Sequence, residues 1–147
     1  MEIKHIEPLN EVEITMLVDI WERAVYETHD FLQVGDFRKY KTMIPTYFEH
    51  TDVVLGAYEG HQCVGFAARK GENLDMLFVD PIYFGKGIGK QLLKAMEALG
   101  VKTLDVNEEN PSAYAFYKAM GYRVVRRSAV DDEGKSYPIL HMEKVSN

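Results

Sequence analysis

Cysteine is nearly missing from this chain of 147 residues: Cys63 is the only one. A single thiol excludes an internal disulfide and a cysteine-based zinc site, and a reducing, cytoplasmic setting is expected. Long apolar runs are missing too, since none approaches the roughly 20 residues needed to span a bilayer. The opening Met1-Glu2-Ile3-Lys4-His5 lacks the basic-then-apolar order of a secretory signal, so no membrane partner is expected. Positive charge is in deficit, with 17 Lys and Arg against 23 Asp and Glu. The net charge of −6 argues against general nucleic-acid binding. An anionic ligand would therefore have to be held by a local cluster of donors. The five histidines show no HExxH-like spacing, and no metal is expected. What the chain does have is 46% hydrophobic and 27% charged residues, enough for one domain spanning 1–147 with a sizeable core.

Repeats, linkers and low-complexity tracts are absent. Residues 2–6 alternate as a first strand would. Between 10 and 29, Ile14, Leu17, Val18, Trp21 and Val25 fall near helical spacing, with Asn10 as N-cap. A second helix is expected over 36–49, interrupted or bent by Pro45. The period then changes to two strands at 52–58 and 62–69, joined by Glu59-Gly60-His61, and a third at 74–79 ended by Asp80-Pro81. An amphipathic helix over 87–99 closes at Gly100, and a strand follows at 102–106. A helix over 110–120 stops at Gly121, and strands at 122–130 and 137–145 turn around Asp132-Glu133-Gly134. The expected order, β-α-α-β-β-β-α-β-α-β-β, is an α/β domain built on one mixed sheet.

The most informative segment is Phe84-Gly85-Lys86-Gly87-Ile88-Gly89-Lys90, between a strand and a helix. Alternating glycines let the backbone turn tightly and bring several N–H groups to one point. Amides that open a helix favour an anion, through their unpaired N–H groups and the helix dipole. Lys86, Lys90 and Lys94 are spaced to line one side of that helix. The same pattern also suits a plain turn followed by a solvated helix face. The dinucleotide fingerprint G-x-G-x-x-G fails here, because the glycines run G-x-G-x-G. The P-loop pattern also fails, with Gln91 after Gly89-Lys90 and Phe at position 84.

This loop resembles motif A of the GCN5-related N-acetyltransferases (GNAT), written Q/R-x-x-G-x-G/A, with Gly87 and Gly89 on its glycines. Phe84 stands where that family usually carries Gln or Arg, so one side-chain phosphate contact is lost or moved. The preceding Leu74-Asp75-Met76-Leu77-Phe78-Val79-Asp80-Pro81 also looks like the family pattern. The segment 107–122 resembles motif B, N-x-x-A-x-x-x-Y-x-x-x-G-[FY], filled by Asn110, Ala113, Tyr117, Gly121 and Tyr122. Residues 28–32 and 130–138 are similar to one bacterial branch, the YjaB-like acetyltransferases. The resemblance implies a mixed, mostly antiparallel central sheet flanked by helices, and an enzyme that moves an acetyl group from acetyl-CoA directly to a primary amine. It implies that the amides of Gly85, Lys86, Gly87, Ile88, Gly89 and Lys90 take the pyrophosphate, and that the backbone of Leu77, Phe78 and Val79 pairs with the pantetheine arm. Asn110 would touch the pantetheine, and Tyr117 would be the general acid.

Acetyl transfer needs a neutral amine, a polarised carbonyl and a proton for the leaving thiolate. Backbone N–H groups near Leu77 could polarise the carbonyl. Asn110 also suits a simple N-cap, and Tyr117 a core aromatic. The base is left open. Asp105 lies on one strand face with Thr103 and Asn107, five residues before the motif B Asn, where the related ribosomal-protein N-terminal acetyltransferases place a glutamate base. His29, beside Asp30 at a helix end, and Asp75 are further candidates, and water is another. Cys63 reads as a buried small hydrophobe.

The acceptor pocket is expected between the first two helices and the last hairpin, with Trp21, Tyr26, His29, Phe31, Tyr40 and Tyr137 as aromatic walls or core. An acidic surface suits a cationic amine: a lysine side chain, a protein N-terminus or a small molecule. A non-catalytic acyl-CoA-binding module is the alternative. An exposed edge strand could pair two subunits.

Overall fold

The computed structural model describes residues 1–145. It resolves into two compact units, Met1–Val101 and the residues from Lys102 onward.

In the first unit the Asn10 carboxamide accepts the Glu13 N–H at 3.0 Å and opens helix α1 (Glu11–Thr28). The stripe Leu17, Ile20, Trp21, Ala24 and Val25 is buried, as its spacing requires. Helix α2 (Val34–Glu49) corrects the expected interruption, because it runs unbroken through Pro45. Proline removes one N–H from the ladder, and burial of Ile44 and Phe48 on either side offsets that loss.

Four strands, β1 (Glu2–His5), β2 (Val53–Glu59), β3 (Gln62–Lys70) and β4 (Asn73–Val79), pair antiparallel in sequence order. Phe66, at the centre of β3, is fully buried with its ring 5.7 Å from Phe48 and 5.8 Å from Phe78. Helix α3 (Ile88–Ala98) buries Ile88, Leu92, Leu93 and Met96 at helical spacing. It packs on β3 over Gly65, where a Cβ would come within 3.1 Å of the Phe78 carbonyl and 3.3 Å of Ile88. A side chain there would have to push these neighbours aside by a few tenths of an ångström. Between β4 and α3 the chain makes a 3-10 turn, Pro81–Tyr83, capped by Asp80.

The second unit holds β5 (Thr103–Asn107), α4 (Pro111–Ala119), β6 (Tyr122–Ser128) and β7 (Ile139–Lys144). Strand β7 lies between the other two, antiparallel to both. Leu104, Val106 and Met142 are buried, while Asp105 on the alternate face is exposed. Helix α4 ends at Met120, whose carbonyl takes the Lys144 ammonium at 2.6 Å, and the chain leaves through Gly121 at φ +95. The last two strands are shorter than expected. Asp131 takes the N–H groups of Glu133 and Lys135 on one oxygen, at 3.0 and 2.9 Å, which ties the connecting loop to itself.

Candidate active site

Leu77, Phe78 and Val79 form the last stretch of β4, in register with Ala67, Phe66 and Gly65. Directly after them Asp80, buried at 3% exposure, fixes the turn. Its N–H donates to the Val64 carbonyl at 2.9 Å, and its carboxylate accepts the Ile82 N–H at 3.2 Å. The chain then passes through Gly85 and Gly87, both at φ +78, into α3. The first bond inside that helix is Gln91 N–H to the Gly87 carbonyl, so the amides of Ile88, Gly89 and Lys90 precede the ladder. Gly87 supplies no side chain to cap them. A Cβ at Gly85 or Gly87 would meet nothing within 4 Å. The glycines are therefore required by the left-handed backbone, and the space beside the loop is open. Ile88 is buried and pins the helix start, whereas Lys86 and Lys90 are exposed. The Lys86 ammonium rests 5.3 Å from the Tyr83 ring centroid.

The same unit encloses a cavity of about 960 Å³ lined by the C-terminal turns of α1, the start of α2 and Asp80-Pro81-Ile82. Its wall carries Glu27, Asp30, Arg38 and His29, and Tyr26, Val34 and Ile82 on its lining are largely exposed. Arg23 pairs with Asp80 across the cavity wall, and Lys41 pairs with Glu22. His29 caps α1, half-buried, with its ring 5.2 Å from Phe31. Thr28 spends its single proton on the Ala24 carbonyl at 2.8 Å. The His29 Nδ1–H therefore donates to Thr28 Oγ1 at 2.7 Å, which leaves the Nε2 lone pair uncommitted. Burial pushes the imidazole down to about 4, and neighbouring Asp30 works weakly the other way. His29 is thus neutral near pH 7 but a poor proton acceptor. Of the expected aromatic walls, Tyr26 and His29 line this cavity; Trp21 is core, stacked at 5.4 Å on Phe37.

In the second unit Asn110 is buried and caps α4, its side chain accepting the Ala113 N–H at 3.2 Å. Tyr117, two turns along the same helix, is 8% exposed, with Phe116 and Tyr122 packed against its ring at 5.2 and 6.2 Å. Burial raises its phenol well above the ordinary value of 10, so the group keeps its proton. Asp105 is not a free strand carboxylate, since Oδ1 accepts from His141 Nδ1 at 2.5 Å. His141 Nε2 in turn meets Ser128 Oγ at 2.7 Å. Asp75 is exposed on β4, and its Oδ1 accepts from the Asn73 side-chain amide at 2.7 Å.

Sequence reasoning missed Asp80, Arg23, His141 and Ser128. The Asp-Pro pair was the available signal for Asp80, as a helix-start cap. No local signal marks His141 and Ser128, which meet Asp105 only through strand pairing. Cys63 is buried, donates to the Gly65 carbonyl at 3.3 Å, and has its thiol pushed up by burial, as suits an inert core residue. Among the described residues no helix is long and apolar enough to cross a membrane.

The family model described as an acetyltransferase (GNAT) domain matches residues 26–145. The chain belongs to the GNAT family. The fold of this GNAT enzyme is the expected class, a mixed and mostly antiparallel sheet flanked by helices. Peptidyl-lysine N-acetyltransferase YjaB of Salmonella typhimurium is 39% identical over 127 residues, 86% of this chain and 88% of that one. The solution structure of apo-form YjaB from Escherichia coli superposes with a TM-score of 0.87 at 34% identity, covering 99% and 98% of the two chains. Both bear out the resemblance to the YjaB-like branch. The PaiA N-acetyltransferase of Thermoplasma acidophilum, solved in complex with coenzyme A, shares the fold at a TM-score of 0.68 and 20% identity, covering 99% of this chain and all of that one. This GNAT protein is an N-acetyltransferase.

Proposed function

We propose that the chain takes the acetyl group of acetyl-CoA and passes it directly to a primary amine, with the side-chain amine of a protein lysine as the preferred acceptor. The observation that carries the donor assignment is the opening of α3. Two left-handed glycines with open space beside them lead into three amides outside the helical ladder, in the loop that follows the strand Leu77–Val79. Lys86 and Lys90 add positive charge at the same place, where the field of the whole protein would repel a pyrophosphate. The bound donor supplies an activated thioester carbonyl. Amides of residues 85–90 would hold its pyrophosphate, the Leu77–Val79 backbone would align the pantetheine, and Asn110 would touch it. The Tyr117 hydroxyl, kept protonated by burial, would give its proton to the departing sulfur.

The acceptor reading rests on the cavity in the first unit. With Arg23 paired to Asp80 and Lys41 to Glu22, the carboxylates of Glu27 and Asp30 outnumber Arg38 on the wall of a space of about 960 Å³, a small acidic excess that favours a cationic amine. The exposed apolar Tyr26, Val34 and Ile82 suit a protein segment better than a small polar amine. The YjaB relative bears the name of a peptidyl-lysine acetyltransferase, which supports the same choice. One buried thiol fits a reducing cytoplasm.

The test is a thermal-unfolding scan with acetyl-CoA, NADH and ATP, followed by measurement of CoA release with lysine peptides, free N-termini and polyamines. Acetyl-CoA alone should raise the midpoint, by the equivalent of roughly 2.7 kcal/mol at a hundredfold excess over its dissociation constant. Lysine peptides should then give the fastest release. No rise at millimolar acetyl-CoA would overturn the donor assignment, and faster release with polyamines would overturn the acceptor class.

A further inference from the structure

The cavity of the first unit has on its wall a guanidinium that is only half committed. Arg23 Nε and Nη2 both donate to Asp80 Oδ2, at 3.1 and 2.7 Å. An arginine carries one hydrogen on Nε and a pair on each Nη, so these two bonds use up one edge of the planar fork. The other edge, Nη1 with the second hydrogen of Nη2, has no protein partner among the described residues. The Asp80 side chain is nearly fully buried and the Arg23 side chain half-exposed, so the engaged edge faces inward and the free edge is open. Both residues line the cavity, which places that free edge in the space proposed above for the acceptor.

The free edge is held ready. Asp80 is itself fixed, its N–H on the Val64 carbonyl at 2.9 Å and its carboxylate on the Ile82 N–H at 3.2 Å. A guanidinium clamped to so fixed an acid has lost much of its rotamer freedom before a ligand arrives, which lowers the cost of a further bond. Charge decides what that bond takes. Asp80 already balances the arginine, so the pair has hydrogens to give and little net positive charge to offer. A second carboxylate is repelled by Asp80, and by Glu27 and Asp30, which outnumber Arg38 on the same wall. A cationic group is repelled by the guanidinium. A neutral carbonyl oxygen meets neither objection, and every peptide bond has one.

Resting on the acceptor reading above, we propose that Arg23 is a specificity residue that holds a main-chain carbonyl beside the acceptor lysine. The lysine amine then lies toward Glu27, four residues further along α1 and on the wall of the same cavity. Residues four apart on a helix are neighbours, with Cβ atoms roughly 5–6 Å apart, a spacing comparable to an extended lysine side chain. One face of α1 therefore reads the two ends of a single lysine residue, the backbone at Arg23 and the charge at Glu27. Polyamines and alkylamines have the charge but lack the carbonyl, and this is the difference that the free edge detects.

The experiment measures kcat and KM at saturating acetyl-CoA for two acceptors that share an alkyl amine. Nα-acetyl-lysine N-methylamide carries both flanking carbonyls, and n-pentylamine carries neither. Wild type should favour the amide. In Arg23→Ala the ratio of the two kcat/KM values should fall roughly tenfold, about the worth of one hydrogen bond from a charged donor. The fall should lie in KM for the amide, because the carbonyl takes no part in the chemical step. Arg23→Lys keeps a positive charge beside Asp80 but has no second edge, so its ratio should fall as far. It also carries the test if Arg23→Ala does not fold. A purely structural arginine behaves differently, since a disturbed Asp80 turn slows both acceptors alike. Equal losses with the two acceptors, an unchanged ratio, a fall confined to kcat, or full selectivity in Arg23→Lys would each overturn the proposal. Failure of the broader reading shows in wild type itself, which would then favour n-pentylamine or release no CoA with either acceptor.

Discussion

Arg23 reaches out of α1 and sets both Nε and Nη2 on one oxygen of Asp80, at 3.1 and 2.7 Å. The arginine side chain is 49% exposed and the aspartate 5%, so the carboxylate depends on the pair more than the guanidinium does. The link ties the cavity wall to the turn that leads into the glycine loop. Arg23→Ala leaves a buried carboxylate with one fewer donor group. The cost should be about 1–3 kcal/mol, toward the lower end because water reaches the arginine. The unfolding midpoint should drop by roughly 2–4 °C for each kcal/mol. Arg23→Lys, which keeps the charge but loses the fork, should fall between. A variant melting within a degree of wild type would show that water replaces the arginine at no cost.

Gly87 is the position at which a side chain should do most harm to donor binding. Its φ of +78 makes any L-residue there strained by roughly 1–2 kcal/mol. No atom lies within 4 Å of the added Cβ, so packing contributes nothing to that cost. Gly87→Asp also brings a negative charge to the amides that open α3. The variant should remain folded while its thermal shift with acetyl-CoA disappears. A wild-type shift in this variant would move the pyrophosphate elsewhere.

Periodicity made the elements legible, and pairing made the site only partly so. Asn10 and Asn110 could be placed as caps because capping is a local affair, settled within three residues of chain. The glycine loop was legible for the same reason, since left-handed turns and helix starts are written in neighbouring residues. Pro45 does not interrupt α2, because its local cost is real while the burial of Ile44 and Phe48 that overrides it is tertiary. Asp105 was singled out from strand alternation and from its place five residues before the motif B Asn. Its partner His141 is 36 residues away and arrives only through the β5–β7 register, which no local pattern encodes.

Tyr117→Phe removes one oxygen and keeps the ring. Contacts with Phe116 and Tyr122 should survive, so the variant should fold and bind acetyl-CoA as wild type does. If the phenol supplies the proton for the departing sulfur, turnover should fall by roughly 10²-fold or more. The drop should be in kcat, with the acetyl-CoA dissociation constant changed less than threefold, on the order of half a kcal/mol. Stopped-flow measurement of CoA release, beside a thermal shift for affinity, separates the two. Equal kcat would remove Tyr117 from the proton transfer and leave it a core aromatic.

His29 should print its burial on the pH dependence of stability. Its folded value, about 4, lies below the ordinary 6.5, so as pH falls the unfolded chain binds a proton first. The stability it contributes is therefore complete above pH 6.5 and drains away as pH drops toward 4. The loss should be about 1–3 kcal/mol, discounted for the part of the ring that water reaches. Carboxylates titrate in the same window, so the informative quantity is the difference between wild type and His29→Gln. Glutamine does not ionise, and its stability should decline less steeply from pH 6.5 to 4.5 in urea unfolding. Parallel curves would mean that the folded chain protonates His29 as easily as the unfolded one does, and that water enters the cavity up to the ring.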